Sequence, residues 1–293
     1  MELHELIWKR LSEDSEISGR LTQYAGQPAV FTPEAPSDKA QGWGGRMNYP
    51  RIVFAVDLSA NEERKCQGSM VLSIDTKNNG EYDCGAMIAA IRRCLCNVVL
   101  TPEGDSPYCL AWNRSDGYVI DGSDICGQEL QFDLIEYPSQ ETTDPDPIDG
   151  LNSWLKALYP EALIMWHDRM NQEEDFQQGR PVLYCRLEAD NEDVDHSTFA
   201  VAWMTASIVV HVFSSGSGSR GKYVRAIERA LALEGEYELP DRSPFLVSSI
   251  AASPSADYLR TGQLRITGRY GILRQTEKQK RIRNTKTDYK TGG

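Results

Sequence analysis

One segment of the sequence has the residue types and spacing of a phosphate-binding loop. Residues Gly216–Lys222 read Gly-Ser-Gly-Ser-Arg-Gly-Lys, which satisfies the pattern G-x-x-x-x-G-K. The segment follows a predicted strand and opens a predicted helix, where backbone N–H groups can hold an anion. However, Tyr223 stands where a hydroxyl would bind Mg²⁺, and the surrounding sheet is predicted to be antiparallel. We therefore interpret the segment as a flexible Gly/Ser loop, and a nucleotide-binding enzyme that uses Lys222 is the alternative function.

The histidines and cysteines form no recognisable metal-binding motif. No two histidines stand at ligand spacing, and the close pair Cys94 and Cys96 has no second pair to complete a zinc site. Cys94 is therefore predicted to act as a small buried apolar residue. A surface or packing role is predicted for all four histidines, which are His4, His167, His196 and His211.

The acidic residues do not single out a catalytic or calcium site. Asp144, Asp146 and Asp149 are closely spaced, but the glycine and the terminal glutamate of a calcium-binding loop are missing. No serine stands in a G-x-S-x-G turn, and no catalytic pair can be identified among 43 acidic residues. The sequence thus predicts no catalytic, cofactor-binding or metal-binding residues, and a protein that is not an enzyme and uses no cofactor.

Residues 138–150 divide the chain into two parts of similar length. They read PSQETTDPDPIDG, with three prolines, four acidic residues and no apolar periodicity, which is typical of an extended connection. On either side, apolar residues at helical spacing open a unit. These are Leu3, Leu6, Ile7 and Leu11 in the first part, and Leu151, Trp154, Leu155 and Leu158 in the second.

The same order of strands and helices then follows in both parts. Each continues with a hairpin of two strands, a helix and a closing strand, at 50–57, 69–75, 84–95 and 127–135 in the first part and at 181–188, 205–212, 223–233 and 262–270 in the second. Segments 108–112 and 245–251 are candidates for further strands. The repeated order predicts an α+β fold made of two tandem copies of one small unit, with an antiparallel sheet and helices packed on one face.

The charge of the chain is unevenly distributed. We predict a first unit at 1–137, the acidic linker at 138–150, a second unit at 151–273 and a basic tail at 274–293. The tail carries a net charge of +5 within a chain of net charge −12, so the remainder carries −17. An acidic body repels nucleic acid. A basic tail can stay solvated, or it can dock on an acidic surface, including that of another copy of the chain.

The sequence has no run of apolar residues long enough to span a bilayer, which takes about 18 residues. Its first residues, MELHELIWKR, lack the basic start and apolar stretch of a signal peptide. We therefore expect a cytoplasmic site of synthesis and no membrane partner. The seven cysteines, one of which is left over after any complete pairing, are expected to stay reduced.

Both parts resemble the small tail-terminator, or tail-completion, proteins of long-tailed bacteriophages and related contractile injection systems. In the first part the resemblance is carried by ELIWKRLSEDSEISGRL, YAGQPAVF, NYPRIVFAVD, MVLSID, IRRCL and ELQFDLIEY, and in the second by PVLYCRLE, ASIVVHVF, YVRAIERAL and QLRITGRYGIL. It covers nearly the whole chain except the linker and the basic tail. The chain departs from the family pattern in having double length.

The resemblance implies a virion structural protein that forms a ring, caps the tail tube and joins it to the neck and head. The ring would contain six units, either as a hexamer or as a pseudo-sixfold trimer of the double-length chain. The implied partners are other copies of the chain, the tail tube, sheath proteins where the tail has a sheath, and neck or head-completion proteins. DNA would pass through without specific binding. A head–tail connector or a baseplate protein of the same particle is a further alternative.

Overall fold

A computed structural model describes residues 1–44, 48–77, 84–140, 143–177 and 179–274. The described chain folds into two curled sheets, each with helices packed on one face, and this confirms the predicted α+β class with two similar units. No helix among the described residues is long and apolar enough to cross a bilayer. The predicted basic tail lies outside the described residues except for Arg274.

The first unit contains short helices and strands in the order predicted from the sequence, with additional short strands. Its elements are α1 (Leu3–Glu13), α2 (Ser15–Ser18), β1 (Gln23–Tyr24), β2 (Gln27–Pro28), β3 (Val30–Phe31), β4 (Arg51–Asp57), β5 (Gly68–Lys77), α3 (Cys84–Leu95), β6 (Val98–Leu100), β7 (Tyr108–Val119) and β8 (Ile125–Glu136).

The second unit repeats this order after the connection. Its elements are α4 (Pro147–Leu158), β9 (Leu163–Ile164), β10 (Glu173–Asp175), β11 (Val182–Glu192), β12 (Val201–Phe213), α5 (Ser217–Glu234), β13 (Glu236–Glu238), β14 (Pro244–Ala252) and β15 (Leu264–Leu273). The candidate strands at 108–112 and 245–251 are thus parts of β7 and β14. The short strands β3, β6, β9 and β13 were not predicted, because two or three residues are too few to show an alternating pattern.

The two sheets have the same strand order when the duplicated elements are matched. The first sheet has the order β10-β6-β7-β8-β5-β4-β3, and the second has β13-β14-β15-β12-β11-β9. β3 runs parallel to β4, as β9 runs parallel to β11, and the other pairings are antiparallel. The match is complete strand for strand except for β10, which has no counterpart in the second sheet within the described residues.

Each unit has its own apolar core between its helices and one face of its sheet. In the first unit, Leu6 and Ile7 of α1 and Ile91 of α3 pack on Leu72 of β5 and are fully buried. The second core is built in the same way, from α4 and α5 onto β11, β12 and β15. Helix α4 contacts both β11 and β13, which are distant in the strand order, because the sheet curls around it.

Helix α4 begins inside the segment that the sequence indicates as an extended connection. Pro147 occupies the first turn, where its missing N–H costs nothing, and the Asp146 carboxylate accepts hydrogen bonds from the N–H groups of Ile148 (2.7 Å) and Asp149 (3.2 Å). The predicted extended linker 138–150 is therefore wrong for its last four residues. Residues 141 and 142 of the linker lie outside the described residues.

Replacing Asp146 by alanine is expected to lower the free energy of unfolding by about 1 kcal/mol, because two N–H groups at the start of α4 lose their acceptor. Chemical denaturation followed by circular dichroism measures this change. Asp121→Ala, in the exposed turn between β7 and β8, is the matched control and should have little effect. Equal stability of both variants would contradict the capping role of Asp146.

Candidate functional site: the contact between the two units

The strands where the two units meet are buried on both faces. In β11, Leu183 and Cys185 point into the second core, whereas Val182 and Tyr184 point to the other side and are also buried. In β7, Leu110 points into the first core and Cys109 points away from it, again into a buried position. A strand whose both faces are covered has a second packing partner. That partner is the other unit.

A third apolar cluster, which we call the inter-unit contact, joins the two units. It is formed by Cys66, Val99, Cys109, Ala111, Ile135 and Tyr137 of the first unit and by Leu163, Met165, Phe176, Val182, Tyr184, Phe213 and Leu259 of the second. The first unit contributes the outer faces of β6, β7 and β8. The second contributes the outer faces of β9, β11 and β12. The two units therefore meet through different surfaces.

Tyr137 lies at the centre of this cluster and is 1% exposed. Its ring centroid lies 5.1 Å from that of Tyr184 and 5.3 Å from that of Phe213, both in edge-to-face geometry. Its hydroxyl donates a hydrogen bond of 3.0 Å to the carbonyl of Leu259. Burial raises the pKa of the Tyr137 phenol well above its usual value, so the hydroxyl remains a donor.

An ionic network around the buried Asp133 joins the two units at the edge of the contact. Asp133 of β8 is 3% exposed and accepts hydrogen bonds from the guanidinium groups of Arg64, in its own unit, and Arg260, in the other unit. The Arg260 bond to Asp133 measures 2.7 Å, and the Arg260 Nε donates to the carbonyl of Arg64 at 3.0 Å. Asp257 binds the same guanidinium at 3.0 Å. Arg260 thus links groups that lie in both units.

His211 of β12 is enclosed by the aromatic residues of the contact and is 1% exposed. Its Nδ1 lies 2.8 Å from the carbonyl oxygen of Tyr258, which can only accept, so Nδ1 carries the proton. Its Nε2 is buried and has no hydrogen-bond partner among the described residues. Burial lowers the pKa of His211 to about 4, and the imidazole is therefore neutral near pH 7.

The second unit also supplies a strand to the sheet of the first. β10 pairs with β6 in antiparallel fashion, with Glu174 opposite Val99. Arg10 of α1 binds Glu173 of β10 at 2.8 Å, and its Nε donates to the carbonyl of Cys94 at 3.0 Å. The acidic strand is therefore matched to a basic position on the neighbouring helix. This pairing extends the inter-unit contact along the edge of the first sheet.

The contact thus has the composition of a permanent protein–protein interface, with an aromatic centre, an arginine that binds groups of both units and a shared sheet. No family model matches the chain, and a comparison with curated proteins finds no match. Two cavities of about 570 and 420 Å³ flank the loop that carries Arg260. The larger one contains Arg92, whose guanidinium lies 4.4 Å above the Trp112 ring.

The segment Gly216–Lys222, which resembles a phosphate-binding loop in sequence, is mostly helical. α5 begins at Ser217, so the predicted flexible loop is wrong: only Gly216, with φ of 134°, lies outside the helix. The Ser219 hydroxyl contacts that of Ser214 at 2.7 Å, and the Arg220 guanidinium lies 4.0 Å above the Tyr258 ring. These contacts offset the low helix propensity of glycine. Lys222 follows on the same helix, beside an antiparallel sheet.

The other residues considered as candidate site residues in the sequence are buried, form ion pairs or cap a helix. Cys94 is buried as predicted, and burial raises the pKa of its thiol to about 11. Asp168 binds Lys156 at 2.7 Å, His167 lies 3.7 Å from Asp149, and Asp146 caps α4. The seven cysteines, all of which lie within the described residues, form no disulfide bond. Within the described ranges, no three His, Cys, Asp or Glu side chains are grouped as metal ligands.

Sequence reasoning missed the inter-unit contact itself. Residues Asp133 and Arg260 are 127 positions apart, and no local pattern connects them. A signal was nevertheless present in the strands, because β11 begins with the unbroken apolar run Val182–Cys185 and β12 contains the apolar stretch Ile208–Val210. Such runs are typical of strands covered on both faces, whereas a sheet with one solvated face shows alternation.

Proposed function

We propose that the chain is a structural protein that assembles through its duplicated units into a ring, as the tail terminators of long-tailed bacteriophages do. In this role it would cap the tail tube and join it to the neck of the particle. The observation that carries the proposal is the inter-unit contact, in which two similar units meet through different surfaces. A contact of this kind generates a closed ring, or an open filament, when it is repeated.

Each unit leaves free the surface that its counterpart uses in the inter-unit contact, so the same contact can form again between chains. The outer faces of β6–β8 in the first unit are used, but their counterparts β13–β15 in the second unit do not take part in the inter-unit contact. Likewise, β11 and β12 are used in the second unit, whereas their counterparts β4 and β5 are not. The second unit of one chain can therefore meet the first unit of the next. Three chains would supply six units around such a ring.

The unused surfaces are less apolar than the contact within the chain. On β4 and β5, Ala55 is exposed and Val71 is 37% exposed, and on β15, Arg265 and Arg269 point outward. Contacts between chains would thus be more polar and more sensitive to salt than the contact within the chain. The acidic body of the chain favours passage of DNA without specific binding. The site of action would be the tail–neck region of the virion.

Sedimentation and native mass spectrometry test the ring. We expect a species of three or six times the chain mass of 32.9 kDa. Val71→Glu places a charge on the outer face of β5 and should weaken assembly by about tenfold or more, because the carboxylate would be desolvated without a partner. Val119→Glu, at an exposed hairpin tip, is the matched control and should leave the mass unchanged.

A chain that stays monomeric at all concentrations, even with the tail tube protein of the same particle, would contradict ring formation. Cross-linking within intact particles then tests the location. Cross-links to both the tube and the neck proteins are expected for a terminator. Cross-links confined to the baseplate, or to the head side alone, would replace this assignment with the corresponding alternative.

A further inference from the structure

The larger of the two cavities beside the inter-unit contact differs in charge from the rest of the chain. It has a volume of about 570 Å³ and is formed by residues of both units. Its charged lining residues are Arg92 and Arg93, in the last turn of α3, and Arg260 of the second unit, and none of its described lining residues is an aspartate or a glutamate. The chain as a whole carries a net charge of −12. The cavity is therefore a basic site in an acidic protein, at a junction between units, where ligands commonly bind.

Arg92 provides a guanidinium group whose charge the described part of the chain does not neutralise. Its Cζ lies 4.4 Å from the centre of the Trp112 ring, and it forms no ion pair with a described carboxylate. Stacking on the ring holds the guanidinium in place but leaves its N–H donors unused. By contrast, the other two arginines of the cavity bind carboxylates at 2.6 to 3.0 Å. Arg92 is thus the arginine that is available to hold an anion.

The remaining lining suits an organic ligand rather than a bare ion. Leu110, Ala111 and Leu259 contribute apolar surface, and Trp112 and Tyr258 contribute aromatic surface. A volume of about 300–1,000 Å³ is typical of cavities that bind whole small molecules. The cavity can therefore hold a charged group and the organic body that carries it.

The duplication shows that the basic charge is not a requirement of helix packing. The buried Ile91 of α3 corresponds to the buried Ile227 of α5, because each is followed four residues later by a buried leucine. With this match, α5 has Glu228 where α3 has Arg92. A helix in the same place of the other unit thus carries the opposite charge. The arginine belongs to the cavity and not to the shared architecture.

We propose that this cavity binds a small organic phosphate. Guanidinium groups bind phosphate oxygens through two parallel hydrogen bonds, which a lysine cannot do. A phosphate monoester carries about two negative charges near pH 7, whereas a single carboxylate carries one, so the monoester gains more from three arginines. Arg92 and Arg93 belong to the first unit and Arg260 to the second. The bound ligand therefore contacts both units and strengthens the contact between them.

This site is separate from the segment Gly216–Lys222, which resembles a phosphate-binding loop in sequence. No residue of that segment is among the described lining residues of the cavity. The nearest approach on record is that of Arg220, whose guanidinium lies 4.0 Å above the ring of Tyr258. Binding of an organic phosphate should accordingly depend on Arg92 and not on Lys222.

Isothermal titration calorimetry of the full chain tests the site with adenosine 5′-monophosphate, inorganic phosphate and adenosine as probes. We expect the nucleotide to bind about tenfold or more tightly than either of its parts, because only the nucleotide supplies both the charged group and the organic body. Arg92→Gln should weaken nucleotide binding about tenfold or more, since it removes a charged donor. Arg92→Lys keeps the charge but not the paired donors, and its affinity should lie between the two.

Two matched controls accompany these variants. Arg229→Gln removes an exposed arginine at the position of α5 that corresponds to Arg93, and Lys222→Ala removes the lysine of the separate segment. Both should bind the nucleotide as the wild type does. Arg92 is exposed, so its replacement should leave the fold intact, which circular dichroism verifies.

The site is overturned if the nucleotide fails to bind at up to about 10 mM, or if Arg92→Gln and Arg229→Gln bind it equally. Tighter binding of a hexaglutamate peptide than of the nucleotide would also overturn it, because the cavity would then suit an acidic peptide. The mass of each sample is measured in parallel. Because the cavity lies within one chain, a monomer that binds the nucleotide retains the site and contradicts the ring, whereas a ring that does not bind it leaves the proposed function intact.

Discussion

Replacing Asp133 by alanine is expected to lower the free energy of unfolding by about 2–3 kcal/mol. The carboxylate is buried and binds two guanidinium groups, Arg64 from its own unit and Arg260 from the other. Its removal leaves Arg260 with Asp257 as its remaining carboxylate partner, at 3.0 Å, and takes from Arg64 and Arg260 their hydrogen bonds to a charged acceptor. The loss should be larger than for any single exposed ion pair of the chain.

Equilibrium denaturation of the wild type and of Asp133→Ala measures this loss. Asp116→Ala on β7 is the matched control, because Asp116 pairs with Arg114 at 3.2 Å on the surface and its removal should have little effect. Arg260→Ala should also destabilise the chain, but Arg64 would still neutralise Asp133. The sum of the two single effects should therefore exceed the effect of the double variant. Similar stabilities of Asp133→Ala and Asp116→Ala would refute this role of Asp133.

The stability of the chain is expected to fall by about 3 kcal/mol between pH 6.5 and pH 4 through His211 alone. The folded state holds this imidazole neutral, with a pKa of about 4, because it is buried among Tyr137, Tyr184 and Phe213. The unfolded chain binds the proton near pH 6.5, so protons favour unfolding throughout this interval. Above pH 6.5 the contribution of His211 is constant, and below pH 4 the loss is complete.

The free energy of unfolding, measured as a function of pH, tests this dependence. His211→Phe keeps an aromatic ring in the contact and removes the titrating group, so its profile should lack this slope, even if the lost bond to Tyr258 lowers its stability at every pH. His4→Gln, at an exposed position of α1, should keep the wild-type slope. The role of His211 is excluded if His211→Phe and the wild type lose stability in parallel between pH 6.5 and pH 4.

The duplicated architecture could be predicted from the sequence because it is encoded locally. Leu6 and Ile7 mark the buried side of α1 by their spacing, and the alternating residues of β8 mark a strand with one face in the core. The local sequence pattern within each unit was therefore enough to predict that these helices and long strands exist. The start of α4 was missed because Asp146 and Pro147, which cap and open the helix, are also typical of extended linkers.

The inter-unit contact could not be predicted because it depends on surfaces that only the folded units create. Strand β10, with the sequence Glu-Glu-Asp, has no apolar pattern, and its place beside β6 is decided by the pairing with Arg10 and the neighbouring backbone. The start of α5 at Ser217 could not be predicted for a related reason. Gly218 and Gly221 disfavour a helix locally, and the contacts of Ser219 with the nearby Ser214 and of Arg220 with the distant Tyr258 overcome that preference.

Strand β10 also affects the order in which the chain can mature during synthesis. The first unit is complete in sequence at Tyr137, but β6 acquires its outer neighbour only when residues 173–175 have been made. At about 5–20 residues per second, a ribosome needs roughly 2–8 s for that interval. Val99, Cys109 and Ala111 stay uncovered for longer, because the second unit buries them with residues as late as Phe213 and Leu259, and until then the nascent first unit presents an apolar surface. The surface that covers it belongs to the following unit of the same polypeptide. Its burial therefore does not require an encounter with another molecule.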